Sequence, residues 1–249
     1  METKLSVNLN KVALLRNQRD VGYPSVLDVA RMVVAAGAHG LTVHPRPDER
    51  HTRRSDVPAL SELIASELSA DIEFNVEGYP SSDFIELIQE VRPDQVTLVP
   101  DAPDQKTSDH GWDLVEQKTF LRDVIIELKR SGARVCLFMD PEPGEMAEAA
   151  GVGADRVELY TGPYAHAFQM GEAAPLLKRY ADAADAATEA GLGINAGHDL
   201  TLDNLPSFNR ALPRLAEVSI GHAITADALR IGFPAAVEAY LRALTPIAI

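Results

Sequence analysis

The chain contains one cysteine among its 249 residues, Cys136, set in the apolar run "ARVCLFM". A lone cysteine forms no intramolecular disulfide, and a buried free thiol suits a reducing compartment. No apolar run approaches the roughly 20 residues that cross a bilayer. The opening "METKLSVNLNK" lacks the apolar stretch of a secretory signal. A cytoplasmic protein with no membrane partner is expected. Positive charge is scarce: 23 Lys and Arg stand against 37 Asp and Glu, a formal net charge of −14 at pH 7. A field of that sign repels polyanions and argues against a nucleic-acid partner, although a local basic pocket can still receive a small anion. Neither G-x-G-x-x-G nor a Walker sequence is present, so the common dinucleotide and nucleotide cradles are excluded. No linker, composition break or low-complexity stretch divides the chain, and one domain over residues 1–249 is expected.

What the chain does have is alternation. Short apolar or β-branched runs recur at 4–10, 40–44, 72–77, 95–100, 133–140, 155–161, 192–198 and 217–222. Between them lie segments with apolar residues at helical spacing, such as "SVLDVARMVVAAG" and "SDFIELIQEVRP". Several stop at glycine or proline: Gly37, Pro93, Gly132, Gly151 and Gly191. Eight strand–helix units predict a (β/α)8 TIM barrel, whose parallel strands, buried on both faces, should be rich in Val, Ile and Leu. An open doubly wound sheet is the competitor, usually with fewer strands. Segments 101–120 and 161–175 read as long polar loops.

In such a barrel the active site forms at the C-terminal strand ends. Those ends carry Asn8 and Asn10, His44 and Arg46, Glu77, Asp140, Glu158, His198, and Gly221 with His222. A purely structural rim has little use for so many acids, bases and amides, because buried polar groups are costly without partners. Each has a plainer alternative. His44 alone suits a hydrogen-bonded structural residue, and Glu77 and Glu158 suit ion-pair partners for the cations of "LTVHPRPDERHTRR" (41–54). Asn8 and Asn10 suit satisfaction of loop backbone groups. Asp140 reads as a helix N-cap and is left out of the catalytic set. His39 and His166 receive no role. Gly221, after the last strand, leaves room for an anion at a helix N-terminus, or serves only a tight turn. Arg46 and His51 suit an anionic group beside His44, whereas Arg53 and Arg54 suit a solvated face balancing nearby acids.

The stretches "VNLNKVALLRNQR", "GLTVHPRPDERH", "FNVEGYP", "VTLVPDAPD", "ELYTGPYA", "GLGINAGHDL" and "VSIGHAI" resemble, in order, the motifs of the pyridoxine 5'-phosphate synthase family. The resemblance runs through essentially the whole chain. It implies a (β/α)8 barrel with extra helices, assembled as a homo-octamer. It implies condensation of 3-amino-2-oxopropyl phosphate with 1-deoxy-D-xylulose 5-phosphate, without metal or organic cofactor. By the same resemblance His44 and Glu77 are proton acceptors, His198 a proton donor, and Glu158 the stabiliser of transition-state charge. Asn8, Arg19, Asp199, Gly221 and His222 fall where the aminoketone phosphate is held. Asn10, Lys11, Arg46, His51 and Thr107 fall where the deoxyxylulose phosphate is held. Two departures are visible: Asn10–Lys11 stands for an Asp–His pair, and Asp199 for a glycine. A backbone contact at Asp199 survives that change; a carboxylate aimed at phosphate is unfavourable.

Two other readings remain. A metal-dependent barrel hydrolase or aldolase wants an H-x-H pair on the first strand or a lysine on an inner strand position, and neither stands out. A non-catalytic phosphosugar-binding barrel is the third. Residues 101–112, which include Thr107, are expected to act as a lid.

Overall fold

The computed structural model describes residues 2–19, 21–101 and 108–245. Eight parallel strands close on themselves in sequence order, each pairing with the next and the eighth with the first. They are β1 (Lys4–Asn8), β2 (Gly40–Val43), β3 (Glu73–Gly78), β4 (Gln95–Leu98), β5 (Arg134–Met139), β6 (Arg156–Leu159), β7 (Gly193–Gly197) and β8 (Leu215–Ile220). All eight expected strands are present, each within about two residues of its expected ends.

Eleven α-helices occur among the described residues. The covering helices include α2 (Val26–Ala35), α3 (Asp56–Ser66), α4 (Ser82–Val91), α5 (Lys118–Lys129), α6 (Met146–Gly151) and α8 (Ala173–Glu189). They continue with α9 (Leu205–Ala211) and α10 (His222–Ile231). Three more depart from strict alternation: α1 (Asn10–Asn17) between β1 and α2, α7 (Gly162–Gln169) ahead of α8, and α11 (Phe233–Leu244), which packs on α10 and α2. Two helix starts, those of α2 and α4, are capped by serine side chains. Ser25 Oγ accepts from the Asp28 amide at 3.1 Å, and Ser81 Oγ from the Phe84 amide at 3.3 Å. At Gly37, Gly132 and Gly191 the chain turns out of a helix with φ of +103°, +91° and +83°.

The strands are not apolar on both faces. Leu5 and Val7, Leu41 and Val43, Phe74 and Val76, and Val96 and Leu98 alternate with polar residues and belong to the buried apolar core. Burying one such side chain stabilises by about 1.5–3 kcal/mol. The alternate positions fill the barrel with polar groups, several of which bond to one another. Ser6 Oγ meets Thr42 Oγ1 at 2.7 Å, Asn75 Nδ2 donates to Thr42 Oγ1 at 3.4 Å, and Thr97 Oγ1 donates to Asn75 Oδ1 at 3.0 Å. Arg156 donates to Gln95 and Asn195.

Three expectations need correction. Segment 161–175 is not a loop: Pro163 in the first turn and buried Tyr164 and Ala165 start α7. Residues 108–117 form no regular element, yet they do not stand clear of the barrel, and 118–120 already belong to α5. Trp112 is buried, its indole Nε1 donating to the Leu98 carbonyl at 2.8 Å and its amide to Phe138 at 3.1 Å. Asp140 caps no helix; its carboxylate accepts the Gly111 amide at 3.2 Å. Thr107 and half of the expected lid, residues 102–107, lie outside the described residues.

Candidate active site

The C-terminal rim surrounds a cavity of about 470 Å³. Eleven of the residues singled out in the sequence line it: Asn8, Asn10, Lys11, His44, Arg46, His51, Glu77, His198, Asp199, Gly221 and His222. Glu158 lies fully buried behind His198, and Arg19 is exposed beyond the C-terminal end of α1, outside this cavity. Leu14, Arg50, Ser108 and Ser219 also line it and were not foreseen.

Two His–Glu pairs sit on the rim. The first joins strands 2 and 3: His44 Nδ1 lies 3.9 Å from Glu77 Oε2, and Asn8 Nδ2 donates to that same oxygen at 3.3 Å. The second joins strands 6 and 7: His198 Nδ1 lies 3.5 Å from Glu158 Oε1, with the Phe138 ring 5.3 Å from the imidazole. Glu77 Oε1 and both Glu158 oxygens are buried without a hydrogen-bond partner among the described residues. Buried carboxylate oxygens of this kind call for a cation or a donor.

The two histidines are driven apart electrostatically. His44 is held well below the usual imidazole value, first by burial and then by the Arg46, His51 and His198 charges. Burial also lowers His198, but the paired Glu158 and the charge of Glu77 outweigh it and raise the imidazole to about 9. At neutral pH one ring is therefore a neutral acceptor and the other a charged donor. Glu77 is pushed up to about 8 by burial and by the Glu158 charge, with His198 and Arg46 working against the rise. A carboxyl so placed exchanges its proton near neutral pH.

The basic segment after β2 divides into inner and outer parts. Buried Arg46 forms an ion pair with buried Asp101, whose Oδ2 also accepts from Ser108 Oγ at 2.8 Å. His51 accepts the Thr52 amide at Nδ1, 2.9 Å, which leaves Nε2–H as its donor. Burial, Arg46 and Lys11 push His51 down to about 4, so the ring stays neutral. Arg54 is 45% exposed and faces Glu90 at 3.6 Å and Glu86 at 3.9 Å, as expected of an outer cation. Asn10 does structural work as well as lining the cavity: its Oδ1 accepts the His44 amide at 2.9 Å and Thr52 Oγ1 at 2.8 Å.

On the opposite wall, Gly221 precedes α10, and a Cβ there would press on the Asn8 side chain at 3.1 Å. Gly221 thus keeps the helix start and strand 1 in close contact at the cavity. The Asp199 amide is directed to Thr161 Oγ1 at 3.3 Å, and its side chain is exposed. Among the described residues no three His, Cys, Asp or Glu side chains are grouped to hold a metal ion.

Fold and rim together define a (β/α)8 barrel that carries two buried His–Glu pairs at the C-terminal ends of its strands. The profile of the family described as pyridoxal phosphate biosynthesis protein PdxJ matches residues 5–246, and the chain belongs to that family. A pyridoxine 5'-phosphate synthase of Mesorhizobium japonicum is 54% identical over 244 residues, covering 98% of this chain and 99% of the relative. One from a Chelativorans species is 56% identical over 246 residues, at 98% and 99% coverage. Among solved structures, a tryptophan synthase of M. tuberculosis superposes with a TM-score of 0.66 at 13% identity, covering 99% of this chain and 94% of that one. The phosphoribosyl anthranilate isomerase of Thermus thermophilus gives 0.57 at 13% identity, covering 96% and 100%. At such identity these structures share the fold alone.

Proposed function

We propose that this chain is a pyridoxine 5'-phosphate synthase. It joins 3-amino-2-oxopropyl phosphate to 1-deoxy-D-xylulose 5-phosphate and releases pyridoxine 5'-phosphate, inorganic phosphate and two molecules of water. The observation that carries the reading is the pair of His–Glu contacts on one cavity, His44 with Glu77 and His198 with Glu158, in surroundings that lower the first imidazole and raise the second. Imine formation, phosphate loss and ring closure each move protons, so a neutral base and a charged acid on one rim serve them better than a single nucleophile. His44 accepts protons and His198 donates them. Glu77 exchanges its proton with His44 and substrate near neutral pH, and Glu158 holds the imidazolium and the positive charge that develops beside it.

Two phosphorylated substrates want two anion sites. Lys11, Arg46 and His51 suit the sugar phosphate on one wall, with Asn10 holding the loop that carries them. Asn8, Gly221, His222 and the Asp199 turn suit the aminoketone phosphate on the other, where the N-terminus of α10 favours an anion. Thr107 and Arg19 belong to this proposal through the family resemblance. A homo-octamer is part of the same reading, and light scattering of the full chain tests it. A cytoplasmic setting is supported by the buried free Cys136. Among the described residues no helix is long and apolar enough to cross a membrane.

The test is ring formation from the two substrates, with and without a chelator. Product in both arms is expected. Product only without chelator favours the metal-dependent barrel, and no product with binding of either substrate favours a phosphosugar-binding barrel.

A further inference from the structure

His198 occupies an unusual backbone position. Its φ is +53°, in the left-handed region that only a few per cent of residues other than glycine enter, Asn, Asp and His more often than the rest. It follows Gly197, where a Cβ would collide with the Ser219 carbonyl oxygen, so β7 and β8 lie close just before the turn. The His198 amide donates to that same Ser219 carbonyl at 3.2 Å. Something must hold the residue in this conformation, because the direction of its Cα–Cβ bond decides whether the ring meets Glu158.

Thr161 stands at the right place. It precedes α7 at the N-cap position, where threonine ordinarily turns its hydroxyl back to cap its own helix. Here it does not cap. Fully buried, its hydroxyl donates to the Gly197 carbonyl and accepts the Asp199 amide at 3.3 Å. One hydroxyl thereby grips the chain on both sides of His198. Asn204 extends the grip: its Nδ2 donates to the Asp199 carbonyl at 3.1 Å, and its own carbonyl accepts Tyr164 Oη at 2.8 Å. Tyr164 lies in α7, the helix that Thr161 leaves uncapped. Strand 6 and its helix thus supply both the acid that faces His198, Glu158, and the clamp that aims the ring at it.

We infer that Thr161 is a positioning residue for proton transfer at this site, holding His198 in its left-handed turn so that the imidazole stays against Glu158. The role rests on the proposed function for its kinetic consequence, but its structural consequence can be read without any substrate. Thr161→Val keeps the branched shape and removes both hydrogen bonds. The ring should then drift from Glu158 and lose the partner that raises its pKa.

The experiment uses the full chain with isotope-labelled histidine, the His198 signal being assigned by its loss in His198→Asn. In the parent, His198 should titrate near 9. In Thr161→Val it should titrate at least one pH unit lower, and in Thr161→Ser, which keeps the hydroxyl, close to the parent. In the ring-forming assay Thr161→Val should lower kcat on the order of tenfold to a hundredfold with little change in KM, and serine should restore it. Should the valine variant not fold, Thr161→Cys, with a weaker hydrogen-bonding group, carries the same two readings. A variant that only melts earlier, with the His198 titration and kcat unchanged, overturns the inference, and so does a parent His198 that titrates at an ordinary value. If the parent makes no ring product yet the titration shifts as described, the clamp stands and the reading of the reaction falls.

Discussion

His44 and His198 show how far one residue type is steered by its surroundings. Both follow a strand and face a glutamate, yet burial and then the Arg46 charge lower one, while Glu158 and Glu77 outweigh burial and raise the other. His44→Asn should leave the fold intact and lower turnover by on the order of a hundredfold or more. The rate should hold through neutral pH and fall on the alkaline side as His198 loses its proton around 9. Stability carries the same signature. Glu77 and His198 bind their protons more tightly folded than unfolded, so what they contribute is fully present at low pH. It is lost as pH rises through about 8 for Glu77 and about 9 for His198. His44 and His51, pushed down, work the other way and take stability away as pH falls below about 6.5. Thermal melts from pH 4 to 10 should peak near neutrality, and Glu77→Gln should flatten the alkaline decline. A parent curve still climbing at pH 9 would contradict both assignments.

At the scale of elements, the strands were legible because a short apolar run between helical repeats has few other uses. Their inner faces were less so: Ser6, Thr42, Asn75 and Thr97 pair with residues 22–36 positions away, and no local spacing announces such a layer. Helix α7 hid in a polar-looking stretch whose apolar face is short. Rim residues were legible one by one, but their partners were not. Nothing local in "VTLVPDAPD" marks Asp101 as the buried mate of Arg46. Arg16 is the clearest case: from α1 it forks onto Asp56 at 2.5 and 2.9 Å and reaches the His51 carbonyl at 3.3 Å. Neighbouring Asn17 donates to the same carbonyl at 2.7 Å. Helix α1 therefore braces the loop that presents His51. Arg16→Leu leaves the Asp56 carboxylate the Arg53 amide at 2.7 Å but removes its ion-pair partner, and should cost about 3–5 kcal/mol. Adding Asp56→Leu should recover part of that stability, since the stranded charge is gone, while affinity for the sugar phosphate stays low. Denaturant melts of the single and double variants check the first part, and titration with the sugar phosphate the second.

Taken whole, the molecule sets a basic island into a body of charge −14. The island is not bare charge. Arg54 spreads its positive end toward Glu86 and Glu90 outside, and Arg46 is met by Asp101 within. The alternative partner for Arg46, Glu77, is instead held by Asn8 and faces His44. An arginine whose carboxylate partner lies beside it can still offer guanidinium N–H groups to a phosphate, because the planar fork has five donors. Arg46→Lys keeps the charge but loses that geometry, so it should weaken apparent affinity for the sugar phosphate, and Arg46→Ala should weaken it more. Affinity for the aminoketone phosphate should change much less, since the proposal puts that ligand by Gly221 and His222. Arg53→Ala, outside the cavity, is the control and should change little. Asp101→Asn separates the two uses of Arg46: if the arginine serves chiefly to pair with Asp101, this variant should lower thermal stability as Arg46→Ala does and impair both substrates alike. If Arg46 serves phosphate, Asp101→Asn frees the fork, and affinity for the sugar phosphate should hold or rise while the melting temperature drops. Titrating each substrate separately against the four variants decides it, and equal losses for both ligands in Arg46→Ala would remove Arg46 from the sugar-phosphate site.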